Sequence, residues 1–387
     1  MLRLAIIRQR YTPYGGAERF TEAALEALLE RGVAISLYTR DWPQTRLQLI
    51  EPVLCNPFYI GRLWRDWSFA RAVCRAVTKK APELVQSHER LLCCDVYRAG
   101  DGVHRTWLDQ RLRGASALRR WLTAASPYHR YVLGIERRLF ASPLLKAVIC
   151  NSKMVQSDIG KRFGLSEDRL PVVYNPVDSE AFSPALRIHR AAVRDKLGVP
   201  ESATVFLLVG SGYARKGVAT AIRALARLPE SCYLLVVGRD KSRGRYKLLA
   251  RRLGIASRVA LAGEQDDPKP FYGAVDAFVL PTLYDPCPNA ALEAMACGLP
   301  IITSTSCGAA ELVAEHNAGF VCDARDVDAL AAHMTTLTDA DARAARGERA
   351  RNGVLPLTPA AMTLKLAFLY RDLLAAAHAA RTEQRKA

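Results

Sequence analysis

Asp285 and Glu293 stand eight residues apart in YDPCPNAALEAMACGL (residues 284–299), on either side of a Pro-Asn break that opens an alanine-rich helix. Acids at both ends of an otherwise apolar stretch suit recognition of a polyol. Glu293, one turn into the helix, can accept both hydroxyls of a ribose diol, and Asp285 reaches another part of the same ligand. Asn289 reads as the helix cap, and Cys287, Pro288, Asn289 and Ala290 surround amides that lack partners inside the helix. Gly298 ends the helix and Pro300 begins the next strand. A capped helix with a surface glutamate would explain the boundaries but not the two acids.

Three other stretches follow apolar runs and could approach a ligand. Gly15 and Gly16, in YTPYGGAERF, allow close backbone approach at a strand-to-helix turn. VGSGYARKGV (209–218) combines small residues, Gly212 among them, with the cations Arg215 and Lys216, which suit a diphosphate. LAGEQDDP (261–268) ends a strand at Ala262-Gly263, whose backbone could meet the edge of a base beside Glu264. Neither G-x-G-x-x-G nor G-x-x-x-x-G-K-S/T occurs, so a dinucleotide fingerprint and a Walker loop are both excluded.

Positioning these loops requires strands in front of them. At 387 residues the chain exceeds one ordinary core. Apolar runs alternate with amphipathic helical patterns throughout, which predicts α/β folding with parallel sheets. Early strands fit LRLAII, VAISLYT, 84–88, 95–100, 146–152 and PVVYN (171–175); later ones fit 204–212, 232–238, 259–263, 277–282 and PIITST. The expected domains are residues 1–175 and 201–355, joined by a linker over 176–200. A helix in 356–387 is expected to return to the first domain. Two facing doubly wound domains would leave a cleft at the carboxyl ends of their strands.

The net charge of +17 is uneven: residues 1–175 carry 28 Lys+Arg against 16 Asp+Glu. Residues 105–138 hold eight arginines and two acids, interleaved with Trp107, Trp121, Tyr128 and Tyr131. Arginines with interfacial aromatics suit an anionic membrane surface or a phosphorylated headgroup; a solvated basic face is the plainer reading. Nucleic acid would also account for charge, yet no recognition motif is present. Ten cysteines without any C-x-x-C read as reduced, buried thiols. MLRLAIIRQR is too short an apolar run for a signal peptide, so a cytoplasmic location is expected.

At these residues the sequence resembles the retaining glycosyltransferases of family 4, which have two Rossmann-like domains in the GT-B arrangement. The likeness runs through the Gly15-Gly16 pair, VICNSKMVQSDI, VVYNPVD, Lys216-Gly217 and the acidic-x7-Glu motif. GSGYARKGV, LPES, VVGRDK, LARRLGI and YHRYVLGIERRLF are most similar to the lipopolysaccharide-core branch that glucosylates heptose. The resemblance implies that Glu293 holds the nucleotide ribose, Asp285 touches the donor sugar, and Lys216 with Arg215 stabilises the leaving diphosphate. Asp285 stands where the family more often has Glu. Asp101 and His104, in RAGDGVHRTW, become candidates near the reacting carbon, with His88 of VQSHER as a rival.

The implied function is retaining transfer of a hexose, glucose from UDP-glucose, to a lipopolysaccharide-core heptose or related phosphorylated glycolipid, by a peripheral enzyme on the inner face of the cytoplasmic membrane. No cofactor and no metal are implied. Another family 4 transferase, using UDP-GlcNAc, UDP-galactose or GDP-mannose and another glycan or lipid acceptor, is the alternative.

Overall fold

The computed structural model describes residues 3–10, 33–41 and 50–386, the stretch 377–386 as helical backbone only. The chain divides into two units, residues 1–175 with 359–387, and residues 176–358. Each unit is built on a six-stranded sheet. In the first, β1 (Arg3–Ile7), β2 (Ala34–Thr39), β3 (Glu51–Leu54), β4 (Leu84–Ser87), β5 (Val96–Arg98) and β6 (Ala147–Ile149) lie in the order β3-β2-β1-β4-β5-β6. In the second, β7 (Thr204–Val209), β8 (Cys232–Val237), β9 (Val259–Gly263), β10 (Ala277–Leu280), β11 (Ile301–Ser304) and β12 (Gly319–Cys322) lie in the order β12-β11-β10-β7-β8-β9. Every pairing is parallel.

Counted within each unit, both orders are 3-2-1-4-5-6, the doubly wound arrangement. Its strand order reverses between the first and fourth strands, and ligands bind at the carboxyl ends there. The switch points are β1/β4 and β7/β10. Central strands such as β8 (CYLLVV) are almost wholly buried, as expected of apolar runs covered on both faces. Helix Val218–Leu225 covers its sheet with Val218, Ala221, Ile222 and Leu225, a stripe of helical period.

Several elements differ from the sequence reading. PVVYN forms only the isolated bridge Cys150–Val172, while EPVL and GFVC are strands that no alternation announced. Residues 176–200 are part of the second unit. Arg194 is buried and donates from Nε to the carbonyl of Ala274 (2.8 Å), from Nη1 to Glu201 and Ala203 (2.8 and 2.9 Å), and pairs through Nη2 with Asp276 (2.8 Å). Asp276 in turn accepts from the amide of Val205, at the start of β7. Arg194→Met removes one partner of a buried charge pair and orphans several carbonyls. We expect a loss of about 3 kcal/mol in the urea unfolding free energy of this unit, with the far-UV spectrum unchanged before the transition.

The terminal helix Pro359–Lys386 buries Met362, Leu366 and Tyr370 among Leu4, Ile6, Ile35, Leu37 and Leu84 of the first sheet. Tyr370 donates to Gln86 Oε1 at 2.5 Å. Ala340–Ala376 has an 18-residue window apolar enough to cross a membrane, mean hydropathy 1.3, a third of it buried; Met362, Leu366 and Tyr370 are the residues that pack on the first sheet. The reading of all cysteines as free thiols is corrected at one pair. Cys74, in helix Gly61–Lys80, is disulfide-bonded to Cys93; the other eight are free and buried. A spacing rule cannot find this pair, because the fold rather than the local sequence brings the two together.

Candidate active site

In the second unit the loops after β7 and β10 carry the charged residues to the switch point. Gly210 (φ +151°) allows the Lys216 side chain to lie over the backbone, since a Cβ there would come within 2.6 Å of Lys216 Cε. Gly212 (φ +76°) precedes the short helix Tyr213–Lys216. The chain then turns at Gly217, where a Cβ would sit 1.9 Å from the carbonyl oxygen of Pro281 at the end of β10. The loops are stitched together by Leu283 N–H and the Thr282 hydroxyl, both donating to the Arg215 carbonyl (2.8 and 3.0 Å). Gly217→Ala should therefore separate them, read as a lower melting temperature of the second unit.

The result is a compact charge cluster. Lys216 Nζ donates to Asp285 Oδ2 at 2.6 Å and Arg215 Nη1 donates to the same oxygen at 2.8 Å. Asp285 and Lys216 are both 7% exposed. Burial pushes the Asp285 carboxyl up, but Lys216 and Arg215 outweigh it and hold the group below its ordinary value. The Asp285 backbone is fixed by its own amide to Ser306 (3.1 Å) and by Gly308 N–H donating to its carbonyl (2.8 Å). Two cations against one acid leave a net charge of +1. One donor from each cation faces Asp285, and an ammonium has three while a guanidinium has five, so both can also meet phosphate oxygens.

Helix Asn289–Ala296 follows this cluster. Pro288, not Asn289, takes the N-cap position, and no side chain caps the helix. This corrects the assignment of Asn289 as cap: Pro288 adopts the extended backbone that a cap needs, so Asn289 becomes the first helical residue. Cys287 is buried beside it and Ala290 half-buried. Glu293 is buried and accepts from the Tyr272 hydroxyl at 2.7 Å. It is therefore no surface glutamate. Glu264 is exposed and faces Arg239 at 3.6 Å. The carbonyls of Ala262 and Gly263 accept from Gln265 Nε2 and Gly238 N–H, and each keeps a second lone pair.

In the first unit, Gly15 and Gly16 lie outside the described residues. Asp101 is exposed, 3.9 Å from Arg90 Nη1. His104 begins helix His104–Leu112, its amide donates to Glu136, and its Nε2 lies 3.1 Å from His129 Nδ1. Burial, Arg90 and His129 push its imidazole down to about 3, so it is neutral and weakly basic near pH 7. His88 is buried, with Nε2 3.0 Å from Gln86 Nε2. Because Gln86 Oε1 accepts from the Tyr370 hydroxyl, the Gln86 amide donates and His88 Nε2 accepts. Burial, then Arg98 and Arg8, hold this ring neutral as well.

Unfolded histidines gain protons near 6.5 while these two do not, so the native state weakens as pH falls below that value. The first unit should melt at a lower temperature at pH 5 than at pH 7, and His104→Asn should flatten that slope.

Sequence reasoning passed over another group at β1/β4. Gln9, Asp66, Glu89, Arg90 and Tyr128 surround a cavity of about 60 Å³. Gln9 N–H donates to Glu89 (3.0 Å), and Gln9 Nε2 and the Tyr128 hydroxyl donate to Asp66 (3.3 and 3.4 Å). Glu89 directly follows His88 in SHER, the one local signal that could have marked it. Elsewhere on this unit, helix Ala117–Ala125 buries no side chain and exposes Leu118, Trp121 and Leu122 beside Arg119 and Arg120.

Residues 14–181 match the family described as Glycosyltransferase Family 4, and residues 189–353 that described as Glycosyl transferases group 1. The lipopolysaccharide core biosynthesis glycosyltransferase LpsE of Rhizobium meliloti (strain 1021) is 30% identical over 330 residues, 82% of this chain and 84% of that protein. The lipopolysaccharide glucosyltransferase WaaG of Escherichia coli (strain K12) is 26% identical over 327 residues, with the same shares. A crystal structure of WaaG superposes with a TM-score of 0.80 at 25% identity, covering 95% of this chain and 99% of that one. The fold is also that of Anabaena HepE in complex with UDP-glucose, TM-score 0.72 at 19% identity, covering 96% and 100%.

Proposed function

Because this chain belongs to glycosyltransferase family 4, we propose that it moves glucose from UDP-glucose, with retention, onto a heptose of a lipopolysaccharide core. The observation that carries this reading is the Lys216–Asp285–Arg215 cluster at the β7/β10 switch point, with Lys216 and Asp285 buried and Arg215 partly exposed, followed by buried Glu293. The glucosyltransferase activity in WaaG's name and the UDP-glucose bound to HepE support the choice of donor.

Departure of UDP from the sugar builds negative charge on the leaving diphosphate oxygen. Lys216 and Arg215, held in place by Asp285, stabilise that charge at little reorganisation cost, and the first amides of helix Asn289–Ala296 add to them. Glu293 fixes the ribose. The acceptor oxygen bonds to the anomeric carbon on the face that the diphosphate leaves, and its proton passes to the leaving oxygen. Asp101 and His104 are assigned to orienting the acceptor, since an imidazole pushed to about 3 is a poor base.

The experiment for this reading is a thermal-shift panel of nucleotide sugars. A ligand that binds only the native state raises its apparent stability, and UDP-glucose should give the largest rise. A larger rise with UDP-galactose, UDP-GlcNAc or GDP-mannose would replace the donor. In this mechanism the cations are side chains, so turnover should persist in EDTA; loss restored by magnesium would refute that part.

We further assign the exposed Leu118, Trp121 and Leu122 with Arg119, Arg120, Arg137 and Arg138 to the inner face of the cytoplasmic membrane. Reversing the four arginine charges should weaken binding to anionic vesicles and spare UDP affinity. Undiminished vesicle binding would reject the assignment.

A further inference from the structure

A larger cavity, of about 400 Å³, lies between helix Arg243–Arg252 and β9, a size that accepts a small ligand. Because β9 is the outermost strand of its sheet, with β8 between it and β7, the cavity lies away from the loops that carry Lys216 and Asp285. Its charged lining is entirely cationic. Lys196 comes from helix Arg190–Leu197, and Arg243, Lys247 and Arg251 recur every four residues along one face of their own helix.

Lys196, Lys247 and Arg251 make no ion pair among the described residues, and no carboxylate lines the cavity. The nearby Asp240 is engaged by the amides of Tyr213 and Ser242 (2.7 and 2.6 Å). The helix dipole explains Arg251 in the last turn but opposes Arg243 in the first, where no acid stands. Arg243 is nevertheless held there. Its guanidinium donates to the Leu261 carbonyl, and its Nε is buried without a hydrogen-bond partner. Four like charges lining one cavity repel one another, and an anion would relieve that repulsion.

We infer that this groove binds a multiply charged phosphate group, a phosphomonoester or diphosphate, outside the donor site. Guanidinium forks match pairs of phosphate oxygens and the lysines add point charge. The group could arrive on a soluble metabolite or on a lipid headgroup, and the two sources are separable.

The test compares wild type with Lys247→Ala/Arg251→Ala. Both side chains are exposed, so the variant should fold with a melting temperature no lower than wild type. In one arm, inorganic pyrophosphate is titrated calorimetrically into protein kept in excess UDP. In the other, protein is sedimented with phosphatidylcholine vesicles with or without phosphatidic acid. Pyrophosphate affinity lower by about tenfold in the variant, with UDP affinity unchanged, supports a soluble ligand. A variant-sensitive response to phosphatidic acid vesicles alone supports a headgroup. Equal binding by both proteins, or binding in neither arm, overturns the inference whether or not UDP is the donor nucleotide.

Discussion

Lys216→Met should lower kcat about a hundred- to a thousandfold, the usual cost of removing one preorganised stabiliser of transition-state charge. The donor KM should rise as well, but by less than kcat falls, because the diphosphate is already anionic in the bound donor and gains further charge on the leaving oxygen only as the bond to the sugar breaks. The structural cost is separable. Lys216 Nζ lies 2.6 Å from Asp285, and its loss leaves that buried carboxylate with Arg215 alone. Lys216→Met/Asp285→Asn should therefore recover the stability lost by the single substitution and recover none of the rate. If the double variant also regained turnover, Lys216 would be only a structural counter-ion.

Glu293→Gln should raise the donor KM by about ten- to a hundredfold, the range for hydrogen bonds to a charged acceptor, and leave kcat nearly unchanged. A carboxylate can accept from both ribose hydroxyls, whereas an amide offers one acceptor and turns a donor toward the second. Gln is a cleaner probe than Ala because the Tyr272 hydroxyl donates to Glu293 at 2.7 Å. Glu293→Ala would orphan that buried hydroxyl, at a cost of about 1–3 kcal/mol, and confuse folding with binding. An unchanged KM, or an equal loss with a donor lacking the ribose diol, would remove Glu293 from the ribose.

Much of this architecture was readable because a parallel strand buried on both faces is a continuous apolar run. TVFLLV and CYLLVV have no other plausible use. The edge strand EPVL escaped because its residues are largely exposed and carry no such run. Residues 176–200 read as a linker from Pro176 and Pro184, yet Arg194 bonds that segment to the carbonyls around β7 and β10, a long-range contact without local pattern. Around the charge cluster, residue types suggested the chemistry, but not that Asp285 would itself engage both cations. The Asp66–Glu89 group gathers from separate segments and the fold alone assembles it.

The decisive observation is where UDP-glucose binds in a crystal of this protein. The diphosphate should lie within about 3 Å of Lys216 Nζ and the Arg215 guanidinium, with both ribose hydroxyls on Glu293. A nucleotide seated elsewhere, with Lys216 and Arg215 still bonded to Asp285, would contradict the assignment of this cluster as the site of glycosyl transfer.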